Sequence, residues 1–214
     1  MISITSKQNC CGCFACANIC SNGCIEMHAD EEGFLYPSVD TSRCIQCGLC
    51  KQVCPILHSY NEIRGMSPAG YAVINMDEKV RLASSSGGVF SLFAEQTIRD
   101  GGVVFGAALS KDCGSVVHIE EDSLSELAKL RGSKYVQSSI GDAYIKTQNA
   151  LKKGRKVLFT GTPCQIEGLH GFLRKKYENL LCMDLICHGV PSPKVWKKYV
   201  CFRENPVCSF TIVY

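Results

Sequence analysis

Two runs of cysteine constrain this chain more than anything else in it. Cys10, Cys13, Cys16 and Cys20 form the first; Cys44, Cys47, Cys50 and Cys54, followed by Pro55, form the second. Both have the spacing C-x2-C-x2-C-x3-C, the bacterial run that holds cubane iron–sulfur clusters. Three thiolates at two-residue gaps wrap one face of an iron–sulfide cube, while the short third gap carries the fourth cysteine past it. In two-cluster ferredoxins that fourth thiolate serves the other cluster. The expected ligand sets are therefore Cys10, Cys13, Cys16 with Cys54, and Cys44, Cys47, Cys50 with Cys20. The exchange ties both halves of the segment together, and in so small a module metal-binding free energy is folding free energy.

Two other uses of cysteine compete with this reading. A disulfide scaffold needs an oxidising compartment and a secretion signal, yet Met1–Asn9 holds a single lysine and no apolar stretch. Zinc also binds C-x2-C pairs, but its sites usually place two such pairs far apart and do not line up three thiols at two-residue gaps. Cys11 and Cys24 are left over, as packing or redox-neutral thiols, although Cys11 could replace Cys10 with little backbone change.

A change of composition follows the second run. Only six of the sixteen cysteines lie beyond Pro55, and apolar runs begin to alternate with helical patterns. Residues 1–58 read as an α+β two-cluster ferredoxin-like module, 59–68 as a polar linker, and 69–214 as an α/β domain with a mainly parallel sheet, incomplete at its C-terminal end. Strands are expected over Tyr71–Ile74, Val103–Leu109, Val116–Ile119, Val157–Phe159 and Leu180–Ile186. Helices are expected over Val89–Ile98, Ile140–Leu151, Gln165–Lys176 and Pro193–Arg203, with another after a Ser123/Glu126 capping box that carries Leu124, Leu127 and Leu130. Phe210–Tyr214 reads as a terminal strand with nothing after it, so either the product is truncated or a second chain completes the sheet.

Hydrophobic content of 46% and a mean hydropathy of +0.04 suit a packed core. No apolar run reaches the about 18 residues of a membrane span. Unpaired cysteines without a secretion signal point to a reducing, cytoplasmic setting. Charge is uneven: three basic residues face five acidic ones over 1–60, whereas twelve face three over 146–203. This is either ordinary solvated helix surface or a field for an anionic cofactor or partner. The basic residues are not interleaved with aromatic ones, which sets nucleic acid aside.

Three turns of the α/β domain could carry chemistry. Ser84-Ser85-Ser86-Gly87-Gly88 opens a helix whose free amides would suit phosphate, although a serine followed by glycines is also an ordinary helix start. Gly161-Thr162-Pro163-Cys164 joins a strand to a helix, and places a thiol near the positive helix end. Asp184-Leu185-Ile186-Cys187-His188-Gly189 ends the next strand, so that Cys164 and Cys187 would approach each other beyond the carboxyl edge. Free cysteines are as commonly mere core residues.

The double cysteine run, SSSGG at 84–88, GSKYVQS at 132–138, TGTPCQIEGL at 160–169 and DLICHGVPSP at 184–193 together resemble the coenzyme F420 hydrogenase/dehydrogenase beta-subunit family, most closely its bacterial branch with an N-terminal ferredoxin module. The resemblance covers the chain to about Arg203, and family members continue further. It implies a flavin-bearing α/β domain that exchanges electrons through iron–sulfur clusters with a deazaflavin or another soluble carrier. It places Ser85, Ser86, Gly87, Gly88, Gly161, Thr162 and Pro163 beside the flavin, expected as FAD. It also matches Cys164 and Cys187 to cysteines that could hold a further 4Fe-4S cluster, with Cys182 and Cys113 as companions. His188 and Lys134 are candidates for proton transfer, though each has a structural reading as well. The expected function is an oxidoreductase subunit passing electrons between 4Fe-4S clusters, a flavin and a carrier such as coenzyme F420. The alternative is a ferredoxin-like module that docks a redox partner and has no turnover of its own.

Overall fold

The computed structural model describes residues 1–4, 6–58 and 67–203. The first module begins with helix α1 (Ala15–Ile19), continues through the antiparallel pair β1 (Ile25–Ala29) and β2 (Leu35–Val39), and ends with helix α2 (Leu49–Gln52). The tight turn between β1 and β2 is built by Asp30, whose Oδ1 accepts the amides of Glu32 and Phe34 at 3.0 and 2.9 Å. Each thiol run thus precedes or enters a short helix, and the hairpin lies between them.

The second region holds α3 (Glu78–Leu82), α4 (Val89–Arg99), β3 (Val103–Leu109), β4 (Val116–Glu121), β5 (Ser138–Ser139), α5 (Ala143–Lys152), β6 (Val157–Gly161), α6 (Pro163–Leu173), β7 (Leu180–Asp184) and α7 (Pro193–Arg203). Its five strands are ordered β5-β4-β3-β6-β7. β3 pairs with β4 antiparallel, whereas β3–β6, β4–β5 and β6–β7 are parallel. The sheet is therefore mixed and mostly parallel, with the hairpin β3–β4 as its departure from an all-parallel order.

Strand alternation sorts the core into two layers. Val103, Phe105, Val157 and Phe159 face α5 and α6, while Val104, Ala108 and Leu158 face α4 and the 3-10 turn Leu127–Leu130. Helix α6 buries Ile166, Leu169, Phe172 and Leu173, each contributing about 2 kcal/mol by its removal from water. The first module shares this layer. Cys13, Phe14, Ala15 and Val53 belong to the same buried cluster as Phe105, Tyr144, Phe159 and Phe172.

Four sequence expectations are corrected. Tyr71–Ile74 is not a strand: it is irregular and largely exposed, and the Asn75 amide donates to Gly87 O at 2.6 Å, outside any sheet. No capping box opens at Ser123, because its hydroxyl pairs with that of Ser125, and the leucines after it form only the 3-10 turn. Helix α4 starts from Gly88 in a left-handed conformation (φ 76°) with no serine cap. Helix α6 starts two residues earlier than Gln165 and stops at Leu173, where Arg174 turns left-handed. The terminal strand at 210–214 and linker residues 59–66 lie outside the described residues. Among the described residues no helix is long and apolar enough to cross a membrane.

One buried group makes stability depend on pH. His118 on β4 stacks on Phe159 at 5.4 Å, and its Nε2 lies 2.9 Å from the Thr160 carbonyl oxygen. Burial pushes its pKa down to about 4, against the carbonyl contact, which raises it. The fold therefore favours the neutral ring. Stability is full above the ordinary histidine pKa of about 6.5 and falls as pH drops from there towards about 4, by on the order of 3 kcal/mol in all. Between pH 7.5 and 4 the urea midpoint of the native chain should fall relative to that of His118→Gln as the pH drops, because only the native chain has this linkage. Parallel curves would show that His118 carries no such linkage.

Candidate redox site

The structure gathers the eight thiols into two groups. Cys10, Cys13, Cys16 and Cys54 line one pocket, together with a fifth thiol, Cys11, and with Ile2, Ile4, Phe14, Met27 and Pro37. Cys20, Cys44, Cys47 and Cys50 line the other, with Met1, Ile25, Ile45 and Leu49. Each group thus joins three thiols of one run to the fourth of the other. The walls are apolar, and the Ile2 amide donates to Cys50 Sγ at 3.1 Å. Burial pushes the Cys16 thiol up to about 12. Such a thiol ionises only where a cation holds it, which suits a donor set for iron and sulfide. Among the described residues no three Cys, His, Asp or Glu side chains are grouped as ligands of one metal ion.

The two pockets differ in surroundings. Cys13 and Cys16 are buried and Cys13 faces α6, whereas Cys47 is exposed and its neighbour Ile45 is 67% exposed. Cys24, unassigned by spacing, lines the second pocket, with its sulfur 3.3 Å from that of Cys20. Cys11 lies beside the thiols of Cys13 and Cys164, and the first of these drives its pKa up to about 12. Cys11 therefore meets the α/β domain, a role no spacing rule could reveal.

The residues for which the sequence resemblance implies a flavin lie at two helix starts. Ser85 and Ser86 are exposed, and Gly88 is buried ahead of α4. A Cβ on Gly87 would sit 2.6 Å from Val73 O, so this glycine already serves close approach by the chain's own backbone. The Ser85 hydroxyl accepts the Ser133 amide at 2.8 Å, and Arg131 Nε donates to Ser91 Oγ at 2.9 Å. Lys134, next to Ser133, donates to Arg131 O at 2.7 Å, and burial lowers its pKa to about 8. Helix α4 runs back from the turn ahead of β3, which brings its first turn towards the carboxyl end of that strand. No side chain caps that turn.

Gly161, Thr162 and Pro163 stand at the end of β6 and the start of α6. Here the helix is closed by its own capping box, in which Gln165 Oε1 accepts the Thr162 amide at 3.0 Å. Gln165 is 4% exposed, and its Nε2 donates to Ser138 Oγ at 2.9 Å. The T-x-x-Q pattern at 162–165 was the signal that could have found this cap. Cys164 lies 3.2 Å from Thr162 Oγ1 and against Cys11, which drives its pKa up. Cys187 is exposed and accepts the Gly189 amide instead, so the contacts of Cys164 and Cys187 are separate. Cys182 is pushed up to about 12 by burial, and His188 is exposed.

Comparison with known proteins gives two family matches. Residues 9–56 match the 4Fe-4S dicluster domain, and residues 154–210 match the C terminus of the coenzyme F420 hydrogenase/dehydrogenase beta subunit. The coenzyme F420-dependent sulfite reductase of Methanocaldococcus jannaschii is 27% identical over 196 residues, covering 88% of this chain and 29% of that protein. An uncharacterized polyferredoxin-like protein of the same organism is 31% identical over 70 residues, 29% of this chain and 42% of its own length. NADH-quinone oxidoreductase subunit I 2 of Geobacter metallireducens is 38% identical over 56 residues, 24% of this chain and 43% of its own length. The chain thus spans between 29% and 43% of these relatives.

Fold and thiols together define an iron–sulfur protein of the electron-transfer, oxidoreductase-like class. More particularly, residues 154–210 are similar to the C terminus of the coenzyme F420 hydrogenase/dehydrogenase beta subunit, with a segment similar to the 4Fe-4S dicluster domain ahead of it at 9–56.

Gln165→Ala would strand the Thr162 amide and the buried Ser138 hydroxyl. It should lower stability by about 2–4 kcal/mol, read as a fall in urea midpoint with unchanged slope. A loss below about 0.5 kcal/mol would show that the cap does not hold the turn.

Proposed function

We propose that the chain passes electrons between two 4Fe-4S clusters and a flavin, and from there to a soluble carrier such as coenzyme F420. The observation that carries this reading is the grouping of thiols, three from one run with the fourth of the other, around two separate apolar pockets. Cys10, Cys13, Cys16 and Cys54 would hold one cluster; Cys20, Cys44, Cys47 and Cys50 would hold the other. The Ile2 amide would bond a cluster sulfur ligand, one of the contacts that set potential.

The residues at the start of α4 fit the phosphate end of FAD. The first turn lacks a side-chain cap, Ser85 and Ser86 offer exposed hydroxyls, and Lys134 stands beside the loop. Gly161, Thr162 and Pro163 would contribute shape at the neighbouring strand end, since the Thr162 amide is already engaged. A bound flavin supplies exchange between paired and single electrons, and the protein's part is placement and electrostatics. Lys134, with a pKa of about 8, would hold or release a proton near neutral pH at its Nζ. Cys164, with Cys187 or with Cys11 and Cys182, would provide thiols for a further cluster.

A second reading, a transfer module that docks a redox partner without turnover, is favoured by one feature. The exposed Cys47 and Ile45 put one thiol group at the surface, where another protein could reach it.

The test is an absorbance spectrum with iron, acid-labile sulfide and flavin assays on chain purified without oxygen. About eight irons per chain with flavin bands are expected, and Cys47→Ser should retain about four. Eight irons without flavin would favour the transfer module. A colourless protein with zinc would overturn both readings.

A further inference from the structure

Helix α6 meets the thiol loops at two positions that carry no side chain. A β-carbon at Gly168 would lie 2.9 Å from the Tyr144 hydroxyl, 3.0 Å from Cys13 Cβ and 3.1 Å from Cys13 Sγ. A β-carbon at Gly171 would lie 2.5 Å from the carbonyl oxygen of Val53, the residue before Cys54. Cys13 and Cys54 line the same pocket. Both pockets are lined by residues of the first module, and it is the wall of this one, at Cys13 and at Val53 beside Cys54, that rests on the glycines of α6. A glycine inside a helix costs about 1 kcal/mol relative to alanine, so two of them on one face need an offsetting contact. Here the contact is the direct seating of a thiol and a ligand-loop carbonyl on the helix. Tyr144, fully buried, cannot yield easily, because its hydroxyl donates to Gln165 O at 2.7 Å.

We propose that Gly168 and Gly171 are positioning residues that seat the cluster of Cys10, Cys13, Cys16 and Cys54 on the α/β domain and thereby fix its reduction potential. This rests on the two-cluster reading above. Cluster potential follows solvent exposure and hydrogen bonding at sulfur. A methyl group at Gly168 must displace Tyr144 or lift Cys13 from α6, and one at Gly171 must push back the Val53 backbone ahead of Cys54; both change the surroundings of this cluster's ligands. None of Cys20, Cys44, Cys47 and Cys50 is met by a β-carbon at Gly168 or Gly171, so their cluster keeps its potential.

The experiment is a potential titration of the full chain, poised with dithionite and followed by electron paramagnetic resonance. Unaltered chain, Gly168→Ala and Gly171→Ala are compared, with Cys47→Ser providing the spectrum of the α6-side cluster alone. Both alanine variants should shift the midpoint of that cluster, or lose its signal, and leave the other unchanged. Adding Tyr144→Phe to Gly168→Ala should shrink the shift, because removal of the hydroxyl makes room for the methyl group. A role limited to helix stability would change the unfolding midpoint and neither cluster's potential. Unchanged potentials in both alanine variants would overturn the proposal. Should Gly168→Ala alone not retain iron, the double variant and Gly171→Ala carry the same comparison. An unaltered chain with far fewer than about eight irons would sink the two-cluster reading, and this proposal with it, before any variant is compared.

Discussion

Burial of Cys13 against the bare face of α6 is the contact through which two modules become one body. A segment of 58 residues has too little interior to be stable by packing alone, and such modules rely on metals or on a neighbour. This one has provision for both. Phe14, Ala15 and Val53 extend the aromatic layer of Phe105, Tyr144, Phe159 and Phe172, so the first module completes the core of the second. Polar contacts stitch the rim: Asn18 Nδ2 to Gly141 O at 2.8 Å, Gln137 Nε2 to Cys11 O at 3.1 Å, and Ser192 Oγ to Glu32 O at 2.6 Å.

The same packing gives the two thiol groups different environments. One rests against α6 through Cys13, with Cys13 and Cys16 buried, Cys10 and Cys54 half-buried, and an aromatic layer behind it. The other opens towards solvent at Ile45 and Cys47. Helix ends repeat the contrast. The first turn of α6 is satisfied internally by Thr162 and Gln165, whereas that of α4 is left without a side-chain cap beside Lys134.

Much of this was legible in the residues. Spacing alone grouped the cysteines, because ligand geometry acts over two or three residues and leaves a local signature. Strands and helices from Val89 onwards were also readable, since one face of each is apolar. What spacing could not reveal depended on the rest of the fold. Tyr71–Ile74 has strand composition but no sheet edge to join, and its neighbour Asn75 instead pairs with the Gly87 carbonyl. The leucines after Ser123 have helical spacing, yet tertiary packing on Val104 and Leu158 holds them as a 3-10 turn. Gly87 looked like a phosphate glycine, but its close approach is to Val73. Cys11 looked spare, and only the docking of the modules brings it to Cys164.

The seat on α6 also imposes an order on synthesis. The thiol segment is complete by Cys54, while Gly168 lies more than a hundred residues later. At roughly 5–20 residues per second, the ribosome takes roughly ten seconds to bridge that gap. Throughout it, Cys13 and Val53 lack the α6 face on which they seat. Iron delivered during that interval would find an open loop, and iron delivered afterwards would have to enter beneath a finished helix.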